Sequence, residues 1–532
     1  MKPTVTEIIK TSIAKFADYD AVIWPEKDEV IRRTYRELGE DIARVRSGLH
    51  AAGLTAAASE TSDANGNVSA GTEECPEEAS APHIATVGRS SYPWVVTFYA
   101  ALTGNSVIVP IDMNLSDDDI IDELNRADVV CAFVDPIKKT LLERIPSDCP
   151  QISKVVLLTD KEDGQSEYET WKTFGADAPF YDMQTADPEA VAAILFTSGT
   201  TGISKGVMLT QGSLAADALN MYYHLAPGSV DLSVLPIHHA FCLTVDWIKA
   251  FEQGVTVAIN DSIGHLVKNI KKFEPHVILM VPLMLETIYK KLKSVNPLIP
   301  KKMVGSQVFG KNLKHVICGG ARLDPKYVED FKKYGIDIWM GYGSTETSPV
   351  ASFNGERGIK WDSLGRPVDN TEIRIDNGEV CVRGDIVMKG YYKMPEETAA
   401  VLRDGWFYTG DLGYLDDDGF LYMNGRKKNL IILANGENIS PEEIEGAFDT
   451  TPIIGEIVVV GEGTSLRALI YPDPEKIRKM KVEQIRKEIE KVIKDYNKKQ
   501  PSYRRLAGFD LRDEPFPKTS TRKIKRDLIT TF

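Results

Sequence analysis

The 532 residues predict an α/β protein of at least two domains. Helical patterns such as 35–52 alternate with short apolar runs at Val107–Ile111, Val129–Val134 and 154–158, the order expected of sheets covered by helices. The chain is also longer than a single hydrophobic core usually organises. Its charge balance changes along its length. From residue 428 onward 20 Lys+Arg stand against 17 Asp+Glu, a net of +3, whereas the whole chain carries −14.

The first long segment contains the alternating elements. Within it, residues 53–82 shift to Ala, Ser, Thr, Gly and Glu, with Leu54 and Val68 as the only sizeable aliphatics. Such a stretch cannot bury enough surface to offset its ordering entropy, so it reads as a mobile surface insertion. The lysine-rich run 476–499 reads as the solvated face of a helix. The overall acidity excludes a general attraction for nucleic acid. Six cysteines lie far apart, without the close pairs of metal sites or disulfide frameworks, and read as thiols of a reducing compartment. The first residues mix apolar side chains with Lys10, Lys15, Asp18 and Asp20, unlike an export signal, and no stretch is long and apolar enough to span a bilayer. The expectation is a cytoplasmic chain without transmembrane segments, with peripheral membrane contact through an acyl substrate left open.

The most informative stretch joins Thr197, Ser198, Gly199, Thr200, Thr201, Gly202 and Lys205. An apolar run ends there in hydroxyls and glycines, then resumes as Val207-Met208-Leu209, which places a loop between two strands. Glycines let backbone N–H groups turn toward an anion, hydroxyls add donors, and the lysine adds charge. This is phosphate chemistry. It is not the Walker pattern, because Ile203 and Ser204 separate Lys205 from Gly202 and Gly206 follows the lysine.

The loop resembles the signature of the adenylate-forming superfamily, which includes acyl-CoA synthetases, peptide-synthetase adenylation domains and firefly luciferase. Further motifs follow in the family's order, and the resemblance extends from about Thr34 to Arg526 with only 53–82 outside it. It implies a large N-terminal domain of helix-covered sheets, 1–427, and a small mobile α+β domain, 428–532. It also implies ATP, Mg²⁺ and coenzyme A as reaction partners of a small carboxylic acid.

By the same resemblance, Gly320 and Ala321 lie beside the adenine and acyl pocket, and Tyr342 with Gly343 offers an aromatic face to adenine. Thr345 donates to the α-phosphate, and Glu346 is the Mg²⁺ ligand. Asp411 receives the ribose hydroxyls, with Arg426 supporting ribose or phosphate. Lys428 is the hinge, although Asn429 stands where an acid is common, which puts that acid's salt bridge in doubt. Gly436 borders the pantetheine tunnel. Lys523 bridges carboxylate and α-phosphate, with Arg522 standing where glycine is common. His239 matches a gate of the carboxylate pocket, with simple packing as the alternative. Phe241, Leu243, Val245 and Trp247 are expected to line an apolar cavity. Cys242 takes the place of an Asp that pairs amino groups in peptide-synthetase domains, which favours a fatty or aromatic acid over an amino acid. The expected activity is an acid–thiol ligase for a medium- or long-chain fatty acid and coenzyme A. A carrier-protein ligase, a stand-alone adenylating enzyme, a luciferase-like oxygenase and a non-catalytic acyl- or nucleotide-binding protein stay open as alternatives.

Overall fold

A computed structural model describes residues 2–27, 29–56, 81–161, 167–197, 204–296, 298–433, 438–463, 465–518 and 524–529. Two large sheets organise the first four hundred residues. One orders seven strands as Gly390–Tyr391, Lys205–Thr210, Val191–Thr197, Val107–Ile111, His83–Val87, Val129–Val134 and Lys154–Leu157. Its five later strands in that order run parallel, whereas Val191–Thr197 and Lys205–Thr210 form an antiparallel pair. The other sheet has nine strands, with the parallel set Asp337–Gly343, His315–Cys318, Val277–Met280, Val230–Ser233 and Thr256–Ile259 at its centre.

The helices follow from the sequence by ordinary rules. Tyr35–Ala51 begins with a capping box in which Thr34 accepts from Glu37 N and the Glu37 carboxylate accepts from Thr34 N. Its buried residues Leu38, Ile42, Val45 and Leu49 recur at helical spacing. Tyr92–Thr103 is apolar all round and is buried at every position except Pro93. A helix of that kind belongs inside the protein, and it joins the largest core cluster together with residues of both sheets.

A third, antiparallel sheet pairs Thr371–Asp376 with Glu379–Gly384 and the latter with Trp406–Leu415, on which Leu421–Arg426 also pairs. The remaining chain builds its own core. Strands Ile454–Glu462, Ser465–Pro472 and Leu506–Leu511 form a sheet, covered by helix Val482–Asn497. That helix buries Ile485, Ile489 and Ile493 and leaves its lysines outward, as the charge run predicts. No helix among the described residues is long and apolar enough to cross a membrane.

Candidate active site

The two large sheets meet through a pair of side chains far apart in sequence. Asp112 immediately follows strand Val107–Ile111 of the seven-stranded sheet, and His238 follows strand Val230–Ser233 of the other. His238 Nε2 lies 3.5 Å from the Asp112 carboxylate, whose other oxygen accepts two bonds of 2.9 Å from the backbone and side-chain amides of Asn114. Burial opposes ionisation of Asp112, but His238 and the Asn114 amides outweigh it and hold the carboxyl well below its usual range. The His239 ring lies against His238, with centroids 4.2 Å apart. The following Phe241 edge packs 3.3 Å from where a Cβ on Gly319 would stand.

From there Cys242–Lys249 winds as a π-helix, the wide turn often found near functional sites. Leu243, Val245 and Trp247 are buried in the main core. Cys242 is also buried, its thiol 3.4 Å from Ser233 Oγ, Leu235 O and Asp246 Oδ2.

The residues assigned to the nucleotide converge. Strand Asp337–Gly343 ends in Tyr342 and Gly343, and the turn Thr345–Thr347 follows at once. A Cβ on Gly343 would lie 1.7 Å from Pro349 O, so the chain can double back there only around glycine. Gly320, at φ +82°, serves the turn after strand His315–Cys318, and Ala321 beside it is exposed. The Tyr342 hydroxyl donates to Asp411 Oδ2 at 2.8 Å, and Arg426 Nε lies 2.6 Å from Asp411 Oδ1. Asp411 and Arg426 face each other across the antiparallel pair Trp406–Leu415 and Leu421–Arg426. The Asp411 carboxylate is thus buried between a phenol and a guanidinium.

Lys205 is one of the residues that the sequence assigns to the phosphates. Thr197 and Lys205 are paired as the last and first residues of their strands, as expected of a loop between strands. Lys205 Nζ lies 4.6 Å from the centre of the Tyr391 ring, and the Tyr391 hydroxyl donates to Glu346 Oε1 at 2.9 Å. Lysine, tyrosine and glutamate therefore form one chain that links the start of strand Lys205–Thr210 to the Thr345–Glu346 turn. Ser198, Gly199, Thr200, Thr201 and Gly202 lie outside the described residues, as do Gly436, Lys523 and most of 53–82.

A family model described as AMP-binding enzyme matches residues 79–392, and one described as AMP-binding enzyme C-terminal domain matches 428–531. The chain belongs to the AMP-binding enzyme family. It is an AMP-forming ligase with a large N-terminal and a smaller C-terminal domain. This AMP-binding enzyme is 28% identical over 446 residues to the long-chain-fatty-acid–CoA ligase FadD15 of Mycobacterium bovis, covering 74% of this chain and 73% of that one. It is 26% identical to the long-chain-fatty-acid–[acyl-carrier-protein] ligase AEE15 of Arabidopsis thaliana, over 99% of this chain and 85% of the relative. Its fold matches the anthranilate CoA ligase AuaEII in complex with anthranoyl-AMP at a TM-score of 0.82, with 19% identity and coverage of 99% and 96% of the two chains.

Mg²⁺ suits the residues of this AMP-binding enzyme. Glu346 supplies a half-buried hard oxygen donor steadied by Tyr391. No group of three metal-binding side chains gathers among the described residues. One carboxylate completed by substrate phosphate and water is a donor set that Mg²⁺ accepts.

The C-terminal residues of this AMP-binding enzyme are anchored close to the site. Lys428 lies exposed in the turn Lys427–Asn429. Asn429, where an acid was expected, donates to Glu442 Oε1 at 2.5 Å instead of forming a salt bridge. Arg322 donates to Glu442 O at 3.1 Å, and Lys290 pairs with Asp473 at 3.1 Å, so residues on the two sides of Lys428 are in contact. Sequence reasoning missed Glu379. This buried residue accepts from Gly410 N at 2.9 Å and from Lys427 Nζ at 2.8 Å, tying the residue before Asp411 to the residue before Lys428. Asp112 and Tyr391 were missed as well. None of the three sits in a motif, and their partners are remote in sequence.

Proposed function

We propose that this enzyme joins a medium- or long-chain fatty acid to coenzyme A in two half-reactions at one site. In the first, a carboxylate oxygen of the acid attacks the α-phosphorus of ATP and the bond to pyrophosphate breaks. In the second, the thiolate of coenzyme A attacks the acyl carbon and AMP leaves with its oxygen. Splitting the transfer in this way makes AMP the leaving group.

The observation that supports the reading best is the meeting of Tyr342, Asp411 and Arg426 with the chain Lys205–Tyr391–Glu346. In this assignment Asp411 and Arg426 hold the ribose while Tyr342 borders the adenine. Lys205 and the loop Thr197–Gly206 hold the phosphates. Thr345 donates to the α-phosphate, and Glu346 would hold Mg²⁺, which neutralises phosphate charge when bound. Lys523 supplies a cation to the first displacement without covalent chemistry. Gly436 borders the pantetheine arm in the second step, and His239 stands at the entrance to the carboxylate pocket. Leu243, Val245 and Trp247, expected to line an apolar cavity, are instead packed in the main core, and Cys242 is buried against Ser233, Leu235 and Asp246. The choice of a fatty acid is therefore supported by the long-chain-fatty-acid–CoA ligase relative. In this reading 1–427 is the adenylation domain, and 428–532 is the small domain that serves both half-reactions.

A pyrophosphate-release screen over carboxylic acids, with and without coenzyme A, tests this. Straight-chain fatty acids should outpace aromatic and amino acids, with AMP and acyl-CoA formed in equal amounts. Release that yields only acyl-AMP, or a thioester with carrier protein but none with coenzyme A, would overturn the choice of acceptor.

A further inference from the structure

The helix Asp117–Arg126 carries no motif and takes no part in the assignments above, yet its last turn grips the flanks of the phosphate loop. Arg126 Nη1 donates to Ser204 Oγ at 3.1 Å, and Nη2 donates to the backbone oxygen of Ser204. The same guanidinium lies 5.4 Å from the centre of the Phe196 ring. Phe196 precedes Thr197, and Ser204 precedes Lys205, so one side chain touches both ends of the segment between two paired strands. One turn earlier, Glu123 is 6% exposed and hydrogen-bonded to Ser204.

The mount is rigid. Ile120, Ile121 and Leu124 bury the helix in the core of the seven-stranded sheet, against which Phe196 and Met208 also pack. Ser116 caps its start by accepting from Asp119 N at 3.1 Å. Arg144 pairs with Asp118 at 2.7 Å, and Lys138 pairs with Asp117 at 2.5 Å. Arg126 itself is further steadied by Asp122 at 3.1 Å. A planar guanidinium suits this task because its donors diverge in a fixed fork while its face lies on an aromatic ring. What it fixes is the backbone immediately before Lys205, whose ammonium stands on Tyr391 and so next to Glu346.

We propose that Arg126, seated with Glu123 on Ser204, is a positioning residue for the ATP phosphates: it acts through the two flanks of the loop and through Lys205. The inference rests on the function proposed above and assigns Arg126 no contact with substrate. Its effect belongs to ATP binding in the first half-reaction. Thioester formation from supplied acyl-AMP needs no pyrophosphate cradle and should be untouched.

The test is an ATP titration of pyrophosphate release by the full chain, alongside thioester formation from synthetic acyl-AMP. Arg126→Ala should raise the KM for ATP about tenfold, leave the KM for the acid within twofold, and leave the second half-reaction at the wild-type rate. Arg126→Lys retains charge without the fork and should fall between. Ser204→Ala, which removes only the Oγ contact, should raise the KM for ATP less, and its effect should not add to that of Arg126→Ala. An unchanged KM for ATP, or an equal fall in both half-reactions, would overturn the proposal and reduce Arg126 to a scaffold residue. If Arg126→Ala does not fold, the Lys and Ser204 variants decide by the same criterion. Failure of wild type to release pyrophosphate with any acid would instead strike the proposed function.

Discussion

Gly343 stands where a methyl group would lie 1.7 Å from Pro349 O and 3.0 Å from Thr347 Oγ1. Neither neighbour is the end of a flexible chain, so Gly343→Ala must move backbone. Overpacking of this kind costs about 1–3 kcal/mol. The displaced segment carries Thr345 and Glu346, and a shift near 1 Å in positioning groups can cost about a hundredfold in rate. The expected outcome is a pyrophosphate-release rate down by about two orders of magnitude, with a modest loss in melting temperature. A near-wild-type rate would remove the assignment of this turn to the α-phosphate.

Glu123 permits a pH test at the same scale. Burial pushes its carboxyl up to about 7, against the opposing pull of Ser204 and Arg126. The unfolded group ionises near 4.3. A buried acid with a raised value keeps its proton in the fold until about pH 7, whereas the unfolded chain loses it from about 4.3, so holding the proton costs more as pH climbs between the two. The wild type should therefore lose up to about 4 kcal/mol of stability across that window. Glu123→Gln should lose correspondingly less. Urea unfolding at pH 5 and pH 8 measures the difference, and identical losses in both proteins would refute it.

At the scale of elements, much was legible because local physics decided it. The runs Val107–Ile111 and Val129–Val134 are strands with those bounds, and the pattern at 35–52 is the helix Tyr35–Ala51. The glycine and hydroxyl segment at Thr197 does lie between paired strands. Illegible were the pairings that join remote elements. The Asp112–His238 contact spans two sheets, and Glu379 reaches Gly410 and Lys427 from another strand, so no window of sequence contains either signal. The π-helix at Cys242–Lys249 was also hidden, since an apolar run fits several helical windings equally well.

The insertion belongs to the same scale. Leu54, placed in the insertion by the sequence, is instead buried in the main core, as are Leu49 of helix Tyr35–Ala51 and Ile84 of strand His83–Val87, so the stretch to remove is 57–80 rather than 53–82. Closing a longer or shorter surface loop changes stability by only about 0.6 kcal/mol per doubling of length. Removing 57–80 and bridging the ends with a short Gly/Ser linker should leave melting temperature within a few degrees and adenylation nearly unchanged. A collapse of the thermal transition would show that the segment packs.

At the scale of the molecule, the two half-reactions ask different things of the C-terminal domain. In the function proposed above, Lys523 serves the first half-reaction and Gly436 the second, and these residues, on separate motifs of that one domain, must take turns at the site. In this structure the domain rests on its larger neighbour through Arg322 and Glu442, Lys290 and Asp473, and Tyr327 with Asp449 O at 3.5 Å. These contacts are polar, with Arg322 and Lys290 exposed and Tyr327 and Asp473 buried. Gly425 carries φ +139°, and a Cβ there would meet Ser440 Oγ at 2.1 Å, so the chain passes close under the domain just before the turn at Lys428. A rotation concentrated at that turn needs backbone torsions that change. Proline at 428 would hold φ near −65°, a value that a 3₁₀ turn already uses, and would restrict the residue before it. Lys428→Pro should therefore leave acyl-AMP formation within a few-fold of wild type and slow thioester formation by a much larger factor. Measuring each half-reaction separately, with a melting curve to exclude general damage, decides the matter. Equal slowing of both in a well-folded variant would mean that the enzyme pivots elsewhere.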